Sequence, residues 1–443
     1  MKGTDPNWRS THADRLVSMA EAVAAIRSGQ SVYAGGWTSV PAHLCAALQA
    51  RHAELHGVVV CTFLTPVNWD LPECLGSFTT RSLYAGPYER AGIRAGHVEY
   101  LPLTQFRAGK APPGIDLDFD HMLVPISPPD EDGWCSYGGG VWFGPTIAQN
   151  ARNLIGEVHP EFIRTGGENR IHVSRFSRLA EVTSPPPPPP IAPRSEETEL
   201  AANVICTLVA SELVKDGSTL QFGVGDVSAA MPVFLGEKHD LGVHTEILPG
   251  GIVDLIKQGV ITGRQKAFHP GKIVASALVQ MPPEELAFID GNDMFELYDF
   301  TYTDDLRNLL QFENFVAINN ALAVDVTGNV CAEAQGPLVF SGPGGQPVFA
   351  VAASTSSAGS IIVLPSSQLV SGVRHSRILA GHPAASTITT HRGYVDYVVT
   401  EQGIATLRGK SIRERMAELI SVAHPDFRAE LRREATALYG VSP

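Results

Sequence analysis

Apolar residues along the chain come in short blocks punctuated by glycine and proline, and the blocks alternate between two periods. Ser18-Met-Ala-Glu21 has the form of a capping box and opens an amphipathic helix that runs to about Arg27, where Ser28-Gly29 ends it. Ser31-Val-Tyr-Ala34 reads as a short buried strand ending in Gly35-Gly36. Pro41 opens the next helix, expected to reach about Leu55, and Gly57-Val-Val-Val-Cys-Thr-Phe-Leu64 is a fully apolar strand. A further strand is predicted at His121-Met-Leu-Val-Pro-Ile126. Alternating helices and wholly apolar strands predict an α/β fold with a largely parallel sheet.

The same grammar restarts after six consecutive prolines, Pro185 to Pro190. A helix is expected over about Glu197 to Val214. The strand Ser218-Thr-Leu-Gln-Phe222 then runs into Gly223-Val-Gly225, with a helix through Ala229 to Leu235. Later strands are expected at Phe315–Ile318, Ser360–Leu364 and Val395–Val399. A second capping box, Ser411-Ile-Arg-Glu414, opens a last helix before His424-Pro-Asp-Phe-Arg428. A proline run prefers extended polyproline II and cannot enter a sheet interior. The expectation is therefore two similar α/β domains, residues 1–184 and 195–443, joined by a proline-rich linker at 185–194. The competing reading of the prolines is a surface crossover inside one domain.

Composition narrows the function classes. With 33 basic and 46 acidic residues in 443 the net charge is −13, which disfavours binding to nucleic acid or to an anionic membrane surface. No apolar run approaches the ~20 residues needed to span a bilayer, and the first residues carry no signal-peptide pattern. The six cysteines are scattered, without metal-ligand or disulfide-framework spacing, and the fifteen histidines form no metal spacing either. The expectation is a reduced, cytoplasmic protein with no metal.

Four stretches could carry chemistry. Gly223-Val-Gly225 lies at a strand end before a helix, where bare backbone N–H groups can meet a phosphate or an oxyanion; the alternative is a plain βα turn. Gly242-Val-His-Thr-Glu246-Ile-Leu-Pro-Gly-Gly251 places a carboxylate between an apolar strand and a Gly-Gly turn; the alternative is a surface glutamate. Phe340-Ser-Gly-Pro-Gly-Gly345 is a loop with three glycines, open to a ligand or simply exposed. The charged stretch from Val399 to Lys410 reads as a satisfied structural network.

Taken together these stretches resemble the acetyl-CoA hydrolase/transferase family of glutamate-dependent CoA-transferases, which includes 4-hydroxybutyrate and butyryl-CoA:acetate CoA-transferases. The resemblance covers nearly the whole chain. It rests on Ile26-Arg-Ser-Gly29, Val124-Pro-Ile-Ser-Pro-Pro-Asp130, Asp216-Gly-Ser-Thr-Leu-Gln-Phe-Gly-Val-Gly225 and Asp240-Leu-Gly-Val-His-Thr-Glu246. It continues through Ala317-Ile-Asn-Asn-Ala-Leu322, Ser341-Gly-Pro-Gly-Gly-Gln346 and the tail from Tyr397 to Arg428. It implies two CoA-transferase-type α/β domains with the active site between them, and Glu246 as nucleophile. Gly223, Val224, Gly225, Asp226 and Val227, with Gly342, Gly344 and Gly345, fall on CoA-binding and oxyanion positions. Acyl-CoA and a small carboxylic acid are the implied substrates, with no permanently bound cofactor and a homodimeric or homotetrameric assembly.

The departures cluster at the carrier site. Gly225 is followed by Asp226-Val-Ser228 where the family has a proline. Val348 and Val351 stand at an Asp and an Arg position, and Ser360 at a Lys position. Fewer cations and a gained acid weaken a polyphosphate site. Three readings follow: transfer of CoA between an acyl-CoA and a carboxylate, thioester transfer or hydrolysis on another pantetheine carrier, and a non-catalytic acyl-CoA binder. Retention of Glu246 with both glycine loops argues against the last. Trp37, Tyr84, Tyr88 and the run Tyr137 to Phe143 are candidate walls of an acid pocket, or equally core residues.

Overall fold

A computed structural model describes residues 3–104, 118–183 and 195–442; the expected linker at 185–194 lies outside the described residues. The chain forms two compact units. One comprises the described residues of Met1–Pro190 with Val274–Thr303 and Phe340–Gly342. The other comprises those of Ile191–Ile273, Asp304–Val339 and Pro343–Pro443. The polypeptide thus enters each unit more than once.

In the first unit seven strands form one sheet. They are β1 (Ser31–Gly36), β2 (Val58–Phe63), β3 (Phe78–Ser82), β4 (Val98–Tyr100), β5 (His121–Ile126), β6 (Asn153–Val158) and β7 (Phe176–Glu181), in the spatial order β7-β6-β5-β1-β2-β3-β4. All six pairings are parallel. The Val-Val-Val-Cys-Thr-Phe run of β2 is buried at five of six positions, as a strand covered on both faces must be. Helix Met19–Val23 opens with the expected capping box: Ser18 Oγ accepts from the Glu21 N–H, and the Glu21 carboxylate accepts from the Ser18 N–H at 3.0 Å. Its Ala22 and Val23 join Leu44, Leu48, Val58, Val60 and Leu123 in one apolar core. The helix after Pro41 covers only Ala42–Gln49, shorter than expected.

The second unit repeats the plan. Strands β8 (Thr219–Phe222), β9 (Gly242–His244), β10 (Phe315–Asn320), β11 (Gly359–Val363), β12 (Tyr397–Thr400) and β13 (Gly403–Thr406) run in the order β13-β12-β11-β10-β8-β9. The pairings are parallel except the β12–β13 hairpin at the edge. Two helices differ from expectation. Glu196–Leu208 passes into a wide π turn at Val209–Leu213. The helix after Gly225 starts earlier, at Asp226, and tightens to a 3-10 turn at Met231–Phe234, where Pro232 has no N–H to continue an α ladder. The capping box at Ser411 and Glu414 opens helix Ile412–Ser421. All six cysteines are buried free thiols. Among the described residues no helix is long and apolar enough to cross a membrane.

The charged stretch after Val399 is a structural network. Buried Asp396 accepts Nε and Nη2 of Arg408 at 2.9 Å each, and also the backbone N–H of Ser360 at 2.9 Å. Lys410 pairs with Glu418, and Glu401 accepts from Ser366. Asp396 thereby ties β11 to the hairpin. Asp396→Ala removes three hydrogen bonds and leaves a half-buried guanidinium without its carboxylate. It is expected to cost about 1–3 kcal/mol in urea unfolding, the partial exposure of Arg408 holding the loss below that of a fully buried pair. A loss under a few tenths of a kcal/mol contradicts this assignment.

Candidate active site

The second unit brings most of the predicted site residues together. Strand β9 delivers His244-Thr-Glu246 into a sharp break before the short strand Ile247–Pro249. Thr245 makes the break rigid. Its Oγ accepts the Phe222 N–H at 3.0 Å and lies 3.1 Å from the Phe222 carbonyl, at the end of β8 where the glycine loop starts. His244 is buried, with its ring edge-on to Phe312 at 5.2 Å. Glu246 is thus fixed by its neighbours in the chain, and its side chain is almost wholly buried, 8 % exposed.

The Glu246 carboxylate receives the Gly345 N–H at 3.0 Å on Oε2. Gly345 immediately precedes helix Gln346–Thr355, so the donor sits where the helix dipole is positive. Gly345 is required for steric rather than conformational reasons. Its φ is −81°, ordinary for any residue, but a Cβ there would lie 2.3 Å from Glu246 Oε2, 2.7 Å from the Phe349 ring and 2.8 Å from Asp304 Oδ2. Gly344 has φ +56°, which turns the chain into the helix.

The loop Gly223–Val227 is held by β10. Asn320 donates from Nδ2 to the Val224 carbonyl at 3.0 Å and to Ser228 Oγ. A Cβ on Gly223 or Gly225 would collide with Asn319 or Asn320, and Gly225 has φ +141°. The Asn320 carbonyl in turn accepts Gln346 Nε2 at 3.1 Å. A continuous polar chain therefore runs from the glycine loop through Asn320 and Gln346 to Gly345 and Glu246. Val224 is 42 % exposed at the loop tip and Asp226 is exposed, while Val227 is buried. Asp226 lies close enough to raise the affinity of Arg377 for its proton; burial pulls that guanidinium down to about 10, with Glu401 and Asp226 acting against it. Gly342 belongs to the first unit, where a Cβ would meet Tyr84 and the Leu83 carbonyl.

Val348 and Ser360 are buried in the second unit and Val351 is half-buried. Of the candidate pocket walls, Tyr137, Val141, Trp142 and Phe143 are buried core of the first unit, while Trp37 stacks on Trp142 at 5.8 Å and Tyr88 is exposed. Asp304, Asn320 and Gln346 were not singled out as site residues by sequence. Asp304 stands in Thr303-Asp-Asp305, where Asp305 caps the turn that follows.

Burial pushes the Glu246 carboxyl up to about 8, and the hydrogen bond from Gly345 pulls the other way. A buried carboxyl group met by one aimed N–H is poorly solvated, and in its ionised form such a group can act as a nucleophile.

Residues 283–435 match the model of the acetyl-CoA hydrolase/transferase C-terminal domain. A 4-hydroxybutyrate coenzyme A transferase of Clostridium kluyveri is 32 % identical over 96 % of this chain and 98 % of its own. Among solved structures, RipA from Yersinia pestis superposes with a TM-score of 0.87 at 30 % identity, covering 98 % of this chain and all of its own. A 4-hydroxybutyrate CoA-transferase from Porphyromonas gingivalis gives 0.77 at 28 % over the same shares. On 32 % identity over nearly its whole length, and with two sheets of largely parallel strands, the chain is an enzyme of the acetyl-CoA hydrolase/transferase family.

Two outcomes follow from the geometry. Between the unfolded carboxyl near 4.5 and the folded one near 8, the folded state holds the extra proton, so the charge costs stability progressively as pH rises through that window. Glu246→Gln is therefore expected to raise the thermal midpoint at pH 8, by about 2–4 kcal/mol of stability, and to have little effect at pH 4.5. Gly345→Ala is expected to destabilise by about 1–3 kcal/mol from overpacking. In the double variant with Glu246→Ala part of that loss is recovered, because the nearest clashing atom is gone; strict additivity in chemical denaturation would contradict the contact.

Proposed function

We propose that the chain is a CoA-transferase that moves CoA between an acyl-CoA and a free carboxylic acid through a thioester on Glu246. The observation that carries this reading is the buried Glu246 carboxylate, aligned by the N–H of Gly345 in a chain whose named relatives are CoA-transferases.

The steps are those the family resemblance implies, and the Glu246–Gly345 geometry supports them. Glu246 attacks the thioester carbonyl; the C–S bond breaks and a mixed anhydride forms. The CoA thiolate attacks Cδ of Glu246, the anhydride C–O bond breaks, and the first acid leaves as its carboxylate. A second carboxylate reverses the path and departs as acyl-CoA. When sulfur adds to Cδ, negative charge develops on the oxygen that Gly345 already faces, so the donor needs no rearrangement. The glycine loop at 223–227 offers backbone and the exposed Val224 to the pantetheine arm, and remote binding energy of the carrier supports the covalent step. Buried Val348 and Ser360 and half-buried Val351 supply no charge to the phosphates, which favours pantetheine over nucleotide contacts as the source of affinity. We also propose a homo-oligomeric assembly, on the resemblance alone.

Intact-protein mass spectrometry after incubation with acetyl-, propionyl-, butyryl- and succinyl-CoA tests the reading. A hydroxylamine-labile adduct of CoA mass is expected on the wild type and absent from Glu246→Ala. Release of free CoA without an acceptor acid would make the enzyme a hydrolase. A folded wild type with no adduct from any donor overturns the proposal and directs attention to pantetheine or carrier-protein thioesters.

A further inference from the structure

One hairpin of the second unit stands apart from its main sheet. Ser367–Val370 and Val373–Ser376 pair antiparallel through a two-residue turn. Ser371 and Gly372 there have φ +50° and +81°, the combination that suits the twist of paired strands. Among the described residues these two strands pair only with each other, so both outer edges are open. The register sets the two faces of this arm. Leu369 pairs with Arg374, whose Nη1 donates to Glu197 Oε1 at 2.5 Å on helix Glu196–Leu208 and braces the arm from that side. Val370 pairs with Val373, and Gln368 with His375, on the other face. The tip is apolar and bare: Leu369, Val370 and Val373 are 54, 49 and 58 % exposed. A two-stranded hairpin with open edges and an apolar tip is marginal in water unless something covers it.

Beside the arm lies a groove of about 620 Å³. His375 lines one side and helix Arg428–Tyr439 the other. Ile378, Ala380 and Leu431 give it an apolar interior, and Leu438 stands in it 63 % exposed. Exposed Glu430 and Glu434 border it. A chain of net charge −13 offers little surface that can approach such a border without repulsion. The arm is suited to it: Ser367 to Ser376 contains no acid and carries Arg374 and His375. Its tip does not fill the groove beside it, since none of Leu369, Val370 and Val373 lines that groove. An apolar knob and an apolar groove of complementary charge therefore lie next to each other on one unit, each unfilled by the other.

We propose that this face is the interface between two copies of the chain, each arm tip entering the groove of the other copy about a twofold axis. A knob beside its own complement suits a twofold, which makes both contacts at once and closes the pair. The acidic border meets an arm without acid, and Val370, Val373 and Leu438 leave water together. The proposal gives a surface to the homo-oligomer proposed above and is independent of the thioester chemistry.

Sedimentation velocity of the full chain at about 20 µM reads the mass. The wild type is expected to sediment as a dimer or a multiple of one. Val373→Asp and Leu438→Asp place a charge at exposed positions that the fold of one copy tolerates, so each is expected to halve that mass with far-UV circular dichroism unchanged. Val373→Cys and Leu438→Cys proteins are prepared separately and mixed under mild oxidation. A disulfide-linked dimer is expected from the mixture and far less from either alone, all six native cysteines being buried. The cross-link decides if an Asp variant does not fold. A monomeric wild type overturns both this surface and the homo-oligomer. An oligomer whose mass neither Asp variant changes, or a mixture no more cross-linked than its components, overturns the surface alone. Transferase activity is assayed separately, so neither failure is mistaken for failure of the catalytic reading.

Discussion

Everything at this site depends on holding a carboxylate where water does not reach. Burial makes the charge on Glu246 expensive and reactive, and one N–H from Gly345 keeps it from being prohibitive. Remove the burial and the acid becomes an ordinary solvated carboxylate, a weak nucleophile. Remove the hydrogen bond and the carboxyl is pushed higher still. The two opposing effects act on one oxygen, so the useful range is narrow, and the surrounding backbone has to be rigid to keep it.

The rigidity comes from sheet ends. Thr245 is tied to Phe222 at the tip of β8, Asn320 reaches from the tip of β10 to the glycine loop, and Gln346 ties the head of its helix to the Asn320 carbonyl. Parallel strands end side by side, so turns far apart in sequence meet at one edge. Of the positions that depart from the family pattern, Asp226 stands exposed in the glycine loop. Val348 and Ser360 are interior, and Asp396 and Arg408 bind β11 beside Ser360 into the edge hairpin. No charged side chain stands at Val348, Val351 or Ser360, while Glu246 and the Gly345 N–H remain paired.

Much of the local structure was legible along the chain. Both capping boxes form as read, because a serine followed three residues later by a glutamate satisfies helix N–H groups without help from the rest of the fold. The apolar runs at β2, β5 and β10 are strands because nothing but a doubly covered sheet accommodates them. Helix ends were less legible. The turn at Pro232 and the π turn after Leu208 answer to packing and to a missing N–H, not to hydrophobic period.

The sequence by itself determined the α/β plan, the position of Glu246 between an apolar strand and a Gly-Gly turn, and glycines placed where a close approach is possible. Those are local properties, written in residue type and spacing. Tertiary structure alone decided which glycine meets Glu246, that Asn320 and Gln346 brace the loop, and that Asp304 stands against the same point as Glu246. Glu246 and Gly345 are 99 positions apart. Only the sheet brings them together, and the charge state of a carboxyl is set by the solvent and neighbours it finds there, which no local pattern encodes.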